Sequence, residues 1–205
     1  MKLYTSRLAP NPRRAAWFLA EKGITDIEIE DVDLLAGAHK TPEFKARAGL
    51  ANVPALTLDD GETITESLAI CRYLESLYPE PNMFGRDARE AAVIEMWTRR
   101  VELMASMPLM MAVRHGHPAL AALETQVPAV KDNNFAAAER VMPFFDRRLG
   151  ESPWIAADRI TMADGVLFSA LEFSRMVRFK IPGELENLTR WQSAMRERPS
   201  ATAGA

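Results

Sequence analysis

Hydrophobic and polar positions change their period several times in the first eighty residues. Lys2-Leu3-Tyr4-Thr5 reads as a short strand. Pro12 to Lys22 carries apolar residues at helical spacing and has Gly23 at its C-terminal side. Ile27, Ile29 and Val32 mark a second, charged strand, expected near a sheet edge. Val53 to Leu58 is a short apolar strand, Asp59-Asp60-Gly61 a hairpin turn, and Glu62 to Thr65 the returning strand. Ser67 to Tyr78 reads as a helix with Leu68, Ile70, Cys71, Leu74 and Leu77 turned inward. The order β-α-β then β-β-α describes a small α/β unit with a mixed sheet.

Pro79-Glu80-Pro81 breaks that helix and reads as a linker. No strand pattern follows. Arg86 to His115, Asn133 to Leu149, Met162 to Phe179 and Leu188 to Glu197 all read as helices. The expected organisation is an α/β domain over 1–78, a linker over 79–85 and an all-helical domain over 86–205. No internal repeat is visible, and low complexity is confined to the tail Ser200 to Ala205.

Composition narrows the function classes. A net charge of −3 gives no electrostatic footprint for nucleic acid or an anionic membrane. A single cysteine, Cys71, excludes an intramolecular disulfide framework and suits a reducing compartment. The N-terminus is a strand pattern rather than a signal sequence, and no apolar run approaches the ~18 residues of a membrane span. The cytoplasm is the expected location.

Several stretches carry candidate chemistry. SRLAPNPRR, residues 6 to 14, turns the first strand into the first helix, where Asn11 is a good N-cap and Pro12 suits the first helical position. Arg13 and Arg14 add positive charge there, either solvated, ion-paired across an interface or beside a bound anion. Glu66-Ser67 stands at a strand-to-helix junction, where unpaired amides favour an anion, although Thr65 or Ser67 can equally serve as a cap. Thr161-Met162-Ala163-Asp164 is a capping box with a folding role. The helix from Arg86 carries Met96, Met104, Met107, Met110 and Met111, a stripe that suits either a core or an adaptable apolar pocket. Pro108 frees the Met104 carbonyl and is expected to kink that helix. His115 and His117 are too few for a metal site, and Cys71, on the inner helix face, reads as an inert core residue.

These stretches, taken in order, resemble the cytosolic glutathione transferase superfamily. "SRLAPNPRRAAWFLAEKGI" looks like the opening of its bacterial members. "DLLAGAHKTPEF", "NVPALTLDDGETITESLAICRYLE" and "WIAADRITMADGVLF" fall where the family has its counterparts, with "VRHGHP" and "RWQSAMRERPSA" as further matches. The resemblance implies a thioredoxin-like domain followed by an all-α domain, a detoxifying transferase role, and a homodimer. It implies glutathione as co-substrate and no metal or redox cofactor. It also implies that Val53-Pro54 is a cis bond presenting main chain to glutathione, with Asn52 adding a side-chain amide. Ser67 and Glu66 would take the γ-glutamyl carboxylate and ammonium, and His39 or Lys40 the glycyl carboxylate. Asn11 or Ser6, or else Tyr4 or the helix amides alone, would donate to the sulfur. Met104, Met107, Met111 and Arg114 would line a pocket for a small hydrophobic electrophile.

Two positions depart from the family pattern. Ala48-Gly49 stands where members commonly have Asn-Pro. No Tyr, Ser or Cys lies in register at the sulfur: the positions read Ala9, Pro10, Asn11 and Pro12. Alongside conjugation, the resemblance therefore keeps open a glutathione-dependent cis-trans isomerase of the zeta-like branch. It also keeps open a non-catalytic member that binds glutathione or a protein.

Overall fold

The computed structural model describes residues 1–7 and 9–204. These fall into two compact units, Met1–Pro81 with Pro199–Ala205, and Asn82–Arg198. The last residues, which the sequence pattern groups with the helical half, thus cluster with the first unit. Arg13 Nη2 donates to the Ala201 carbonyl at 2.9 Å, and Ser200 Oγ donates to Glu21. Among the described residues no helix is long and apolar enough to cross a membrane.

The first unit is a thioredoxin-like sheet flanked by helices. β1 (Lys2–Thr5), β2 (Glu28–Asp31), β3 (Ala55–Thr57) and β4 (Thr63–Thr65) stand in the order β2-β1-β3-β4. β1 pairs parallel with β2 and antiparallel with β3, and β3 pairs antiparallel with β4. The charged strand β2 is an edge, as its composition predicts. α1 (Pro10–Lys22) buries Pro10, Arg14, Trp17 and Phe18 along one stripe. It ends in a Schellman turn: Gly23 at φ +65° sends its N–H to the Ala20 carbonyl, and Ile24 reaches Leu19. α3 (Ser67–Leu77) buries Ile70, Cys71 and Leu74, but Leu77 is exposed, one step past the end of the inward stripe.

One side chain fastens the end of α3 to α1. The Lys22 side chain is withdrawn from solvent; its Nζ pairs with Glu75 at 2.7 Å and donates to the Tyr78 and Pro81 carbonyls at 2.6 and 2.8 Å. A cation at a helix C-terminus meets the negative end of the helix dipole. Here it also anchors the Pro-Glu-Pro stretch that leaves the unit.

A helix that the sequence pattern does not predict, α2 (Pro42–Ala48), follows a 3-10 turn at Ala38–Lys40. Thr41 caps it by accepting from the Phe44 N–H at 3.2 Å, and Gly49 closes it at φ +71°. Gly49 is therefore a helix C-cap with its N–H on the Lys45 carbonyl.

The second unit is all helical: α4 (Ala88–Val101), α5 (Met107–Gly116), α6 (Pro128–Glu151), α7 (Met162–Ser174) and α8 (Glu186–Arg196). α4 and α5 are one rod interrupted by a π segment at Glu102–Ser106, where the Met107 N–H reaches back five residues to the Glu102 carbonyl. Pro108 thus sits just beyond a widened turn that absorbs the ladder defect it creates.

Four donors converge on one carboxylate in this unit. Asp164, fully buried, accepts from the Ile155 N–H at 3.0 Å and from the Thr161 N–H, Thr161 hydroxyl and Trp191 Nε1 at 2.9 Å each. The capping box of α7 is thereby extended to the preceding loop and to α8. Burial pushes the Asp164 carboxyl up, and the four donors oppose that rise. Arg159 makes a second tie: it holds the Asn82 carbonyl and Oδ1 at 3.0 and 2.7 Å and pairs with Glu90, whose carboxyl its guanidinium pulls down to about 2.

Asp164→Ala leaves buried donors without an acceptor and is expected to destabilise the chain by at least ~3 kcal/mol. A urea titration followed by circular dichroism reads this as a lowered midpoint; a midpoint equal to the parent's would show that the node does not hold the helices.

Candidate functional site

Sheet register decides what meets what. Ala55 pairs with Tyr4 on β1 and with Thr65 on β4, and Thr5 pairs with Asp31 on β2. Four chain segments therefore leave the sheet at the same end. They are Ser6 after β1, the loop from Val32 after β2, Val53-Pro54 before β3, and Glu66-Ser67 after β4. The Val53–Pro54 peptide is cis, with Pro54 buried and Val53 half-buried.

Both α1 and α3 begin at this end, and neither start has a side-chain cap. Ala9 is the N-cap of α1, and Glu66 that of α3, each without a side-chain hydrogen bond. The unpaired first-turn N–H groups, on α1 that of Asn11 alone because Pro10 and Pro12 carry none and the Arg13 N–H reaches the Ala9 carbonyl, put a positive potential at this end of the sheet. Asn11 is not the N-cap its sequence suggests: α1 starts at Pro10, which places Asn11 inside the first turn, half-buried. Pro10 takes the role expected of Pro12, because a proline at either position spares an orphan donor.

Glu66 holds φ +68°, ψ 119°, a conformation costly for a residue with a Cβ by ~1–3 kcal/mol. Its carboxylate is exposed. Ser67, the first residue of α3, is buried and does not cap its helix. Its Oγ instead lies 3.4 Å from Arg14 Nη1. Arg14 is itself buried at 4% exposure, so the guanidinium stands behind the serine as an internal cation. The sequence alone leaves Arg14 among several surroundings. The signal that places it is the Pro10-Arg14-Trp17-Phe18 spacing, which puts position 14 on the buried face of α1.

The loop after β2 brings in His39 and Lys40. His39 is 9% exposed, and its Nδ1 is buried without a hydrogen-bond partner among the described residues. Burial, then the charges of Lys40 and Lys45, hold the imidazole below its usual pKa. Lys40 and Asn52 are exposed. Ser6 is buried at the end of β1. The Tyr4 ring packs edge-on against Phe44 at 5.9 Å and under Arg47 at 4.8 Å, so its body is committed to the α2 side of the unit. Cys71, one turn into α3 beyond Ser67, is fully buried, and burial pushes its thiol well up despite the nearby Arg14 charge. Leu8, two residues after Ser6 in the sequence, lies outside the described residues.

The remaining sequence candidates belong to the helical unit. Met104 lies in the π segment and Met107 opens α5, each 43% exposed, with Leu103 beside them at 54%. Met111 is half-buried. Arg114 is exposed and paired with Glu124, and its carbonyl accepts from Gln126 Nε2 at 2.9 Å. Among the described residues no cluster of His, Cys, Asp or Glu could hold a metal ion.

Comparison with known proteins agrees over the whole chain. The family profile for the glutathione S-transferase N-terminal domain matches residues 9–77, and that for the C-terminal domain residues 102–199. Glutathione S-transferase 2 of Saccharomyces cerevisiae is 33% identical over 204 residues, 98% of this chain and 87% of that protein. A glutathione S-transferase domain-containing protein of Marinobacter aquaeolei superposes with a TM-score of 0.93 at 35% identity, covering 98% of this chain and all of that one. A glutathione S-transferase-I solved with lactoylglutathione bound superposes with a TM-score of 0.80 at 26% identity, covering 98% and 95%.

The site end of the first unit offers no reactive protein thiol. Folded chain treated with Ellman's reagent at mildly alkaline pH is expected to release almost no thionitrobenzoate, and one equivalent after denaturation. Rapid release from the folded chain would mean that Cys71 is accessible.

Proposed function

The chain belongs to the glutathione S-transferase family, and from that premise we propose that it activates glutathione as a thiolate for attack on a small hydrophobic electrophile. One observation carries the reading. The starts of α1 and α3, both without side-chain caps, stand at the sheet end where Val53-Pro54, Glu66-Ser67 and the His39 loop also emerge. An elongated peptide with two carboxylates and one ammonium needs this set: amide donors and hydroxyls for the carboxylates, a carboxylate for the ammonium, and open main chain for its backbone.

In this reading the γ-glutamyl carboxylate lies on the Ser67 hydroxyl and the first amides of α3. The buried Arg14 guanidinium strengthens that attraction from behind. Glu66 takes the ammonium; its costly φ is the expense of aiming both main chain and carboxylate outward. Val53 offers main chain to the cysteinyl unit, and Asn52 offers its amide. His39 or Lys40 meets the glycyl carboxylate.

The sulfur then falls toward the first turn of α1. Asn11, or Ser6 just before the turn, would donate to it, together with amides that lower the thiol pKa by favouring negative charge. The chemistry is nucleophilic, needs a deprotonated sulfur, and gains from holding two reactants together. Met104, Met107 and Met111 are proposed to receive the electrophile, since flexible thioethers adapt to varied apolar shapes. Arg114 is the polar member of that set. The protein would act as a homodimer in the cytoplasm.

A second reading has its own support. Ala9, Pro10, Asn11 and Pro12 supply no Tyr, Ser or Cys at the first turn of α1, so a member that binds glutathione without turning over an electrophile fits the same residues.

Calorimetric titration with glutathione from about pH 6 to 9, with proton release followed, separates the two. Binding with proton release near neutrality supports thiolate formation; binding without release supports the non-catalytic reading; no binding overturns both. Ser67→Ala is expected to raise KM for glutathione about tenfold, as the loss of a hydrogen bond to a charged group does, with kcat little changed. Asn11→Ala is expected to lower kcat and, with glutathione saturating, to raise the apparent thiol pKa in the profile of kcat/KM for the electrophile. An unchanged profile would move the sulfur contact to Ser6 or the helix amides.

A further inference from the structure

The helical unit contains a pocket of about 450 Å³ between the end of α7 and α8, within the ~300–1,000 Å³ typical of small-molecule sites. Its apolar lining residues are Leu171, Phe179 and Ile181; Leu171 and Phe179 are nearly buried and form the floor, Ile181 is half-buried, and Phe179 is fixed edge-on against Phe135 at 5.2 Å. Four cations line it: Arg175, Arg178, Lys180 and Arg196. This is a concentration of positive charge in a chain of net charge −3.

The cations are not balanced. Glu172 accepts Arg196 Nε and Nη2 on one oxygen, at 2.8 and 2.6 Å, and Arg175 Nη1 on the other, at 2.9 Å. One carboxylate thus orients two guanidiniums. Burial opposes its charge, yet the two arginines hold the Glu172 carboxyl below its ordinary range. Arg178 and Lys180 form no ion pair among the described residues.

The backbone adds an independent sign. Arg178 sits at φ +59°, ψ 27° as the residue closing the 3-10 turn Arg175–Val177. Its N–H donates to the Arg175 carbonyl at 2.9 Å, and the Phe179 N–H reaches the Ser174 carbonyl at 3.3 Å. Glycine is the residue that this left-handed position favours. An arginine there bears a conformational cost while standing in the pocket wall.

We propose that this pocket binds an organic phosphate: a compact apolar body on the Leu171-Phe179-Ile181 surface, with its phosphate held by Arg178, Lys180 and the guanidiniums that Glu172 orients. Arginine favours this class because its planar fork matches phosphate oxygens and remains charged at every physiological pH. Thr189 and Gln192 on α8 add neutral hydrogen-bonding groups at the rim. The site is built wholly from the helical unit and does not depend on the glutathione reading.

The test is calorimetric titration of the full chain with 1-naphthyl phosphate at low salt, with inorganic phosphate and 1-naphthoate as comparison probes. The expected result is one site for 1-naphthyl phosphate, with both comparison probes at least about tenfold weaker. Lys180→Gln and Arg178→Gly should each weaken it by about tenfold or more, while Arg178→Gly melts no lower than the parent because the backbone cost is relieved. That split matters, since a merely structural arginine would change the melt and leave binding alone. The proposal is overturned by absence of binding at millimolar probe or by affinity unchanged in both variants. It is also overturned if inorganic phosphate or 1-naphthoate binds as tightly as 1-naphthyl phosphate.

Discussion

Ala55 is hydrogen-bonded into a ladder with Tyr4 on one side and Thr65 on the other. Because β3 runs against both neighbours, the end of β1, the start of β3 and the end of β4 are forced to one level. The two helices that follow β1 and β4 must then begin at that level, with their unpaired amides facing the same end. Slipping β3 by one residue would turn its side chains to the opposite face and break this convergence. The arrangement of charges and donors at the site is thus a consequence of a three-residue strand whose ends are set by Pro54 before it and the Asp59-Asp60-Gly61 turn after it.

The two units solve the problem of polar groups inside a core differently. In the first, two buried cations of α1 act on the two ends of α3. Lys22 fastens α3 and the chain leaving it, and Arg14 stands behind Ser67. In the second, a single carboxylate gathers the start of α7, the loop before it and α8. A half-satisfied buried carboxylate would be a liability, but a fully engaged one specifies which helices are neighbours.

The fold is legible in the sequence where local chemistry and global packing agree. The hairpin turn, the Gly23 stop and the Thr161–Asp164 box each appear where their residue types point. The sequence misleads where two prolines compete for one role. Pro10 and Pro12 both suit a helix start; the helix begins at Pro10, which puts Asn11 inside the first turn. α2 is written in the sequence as Thr41-Pro42 with Glu43 following, but seven residues are too few to show a period. Of the candidate site, Glu66 and Ser67 can be named from the sequence, and the α1 spacing points to the burial of Arg14, whereas the strain at Glu66 cannot be read there. That strain depends on long-range pairing rather than on neighbours in the chain.

The π segment at Glu102–Ser106 bears on how this rod can change. A π turn accommodates one residue more than the α turn it replaces, so the faces of α4 and α5 are out of phase by that residue. Ala105 and Ser106 are adjacent and both buried, while Leu103 and Met104 are adjacent and both exposed. Wound as an uninterrupted α-helix, the same number of residues would rotate everything beyond this point by about the angle of one residue, whereas losing one residue would restore the α-helix and leave the downstream faces where they are. At this point of the chain, the winding of one turn, rather than the identity of its residues, determines which side chains the downstream helix shows to its surroundings.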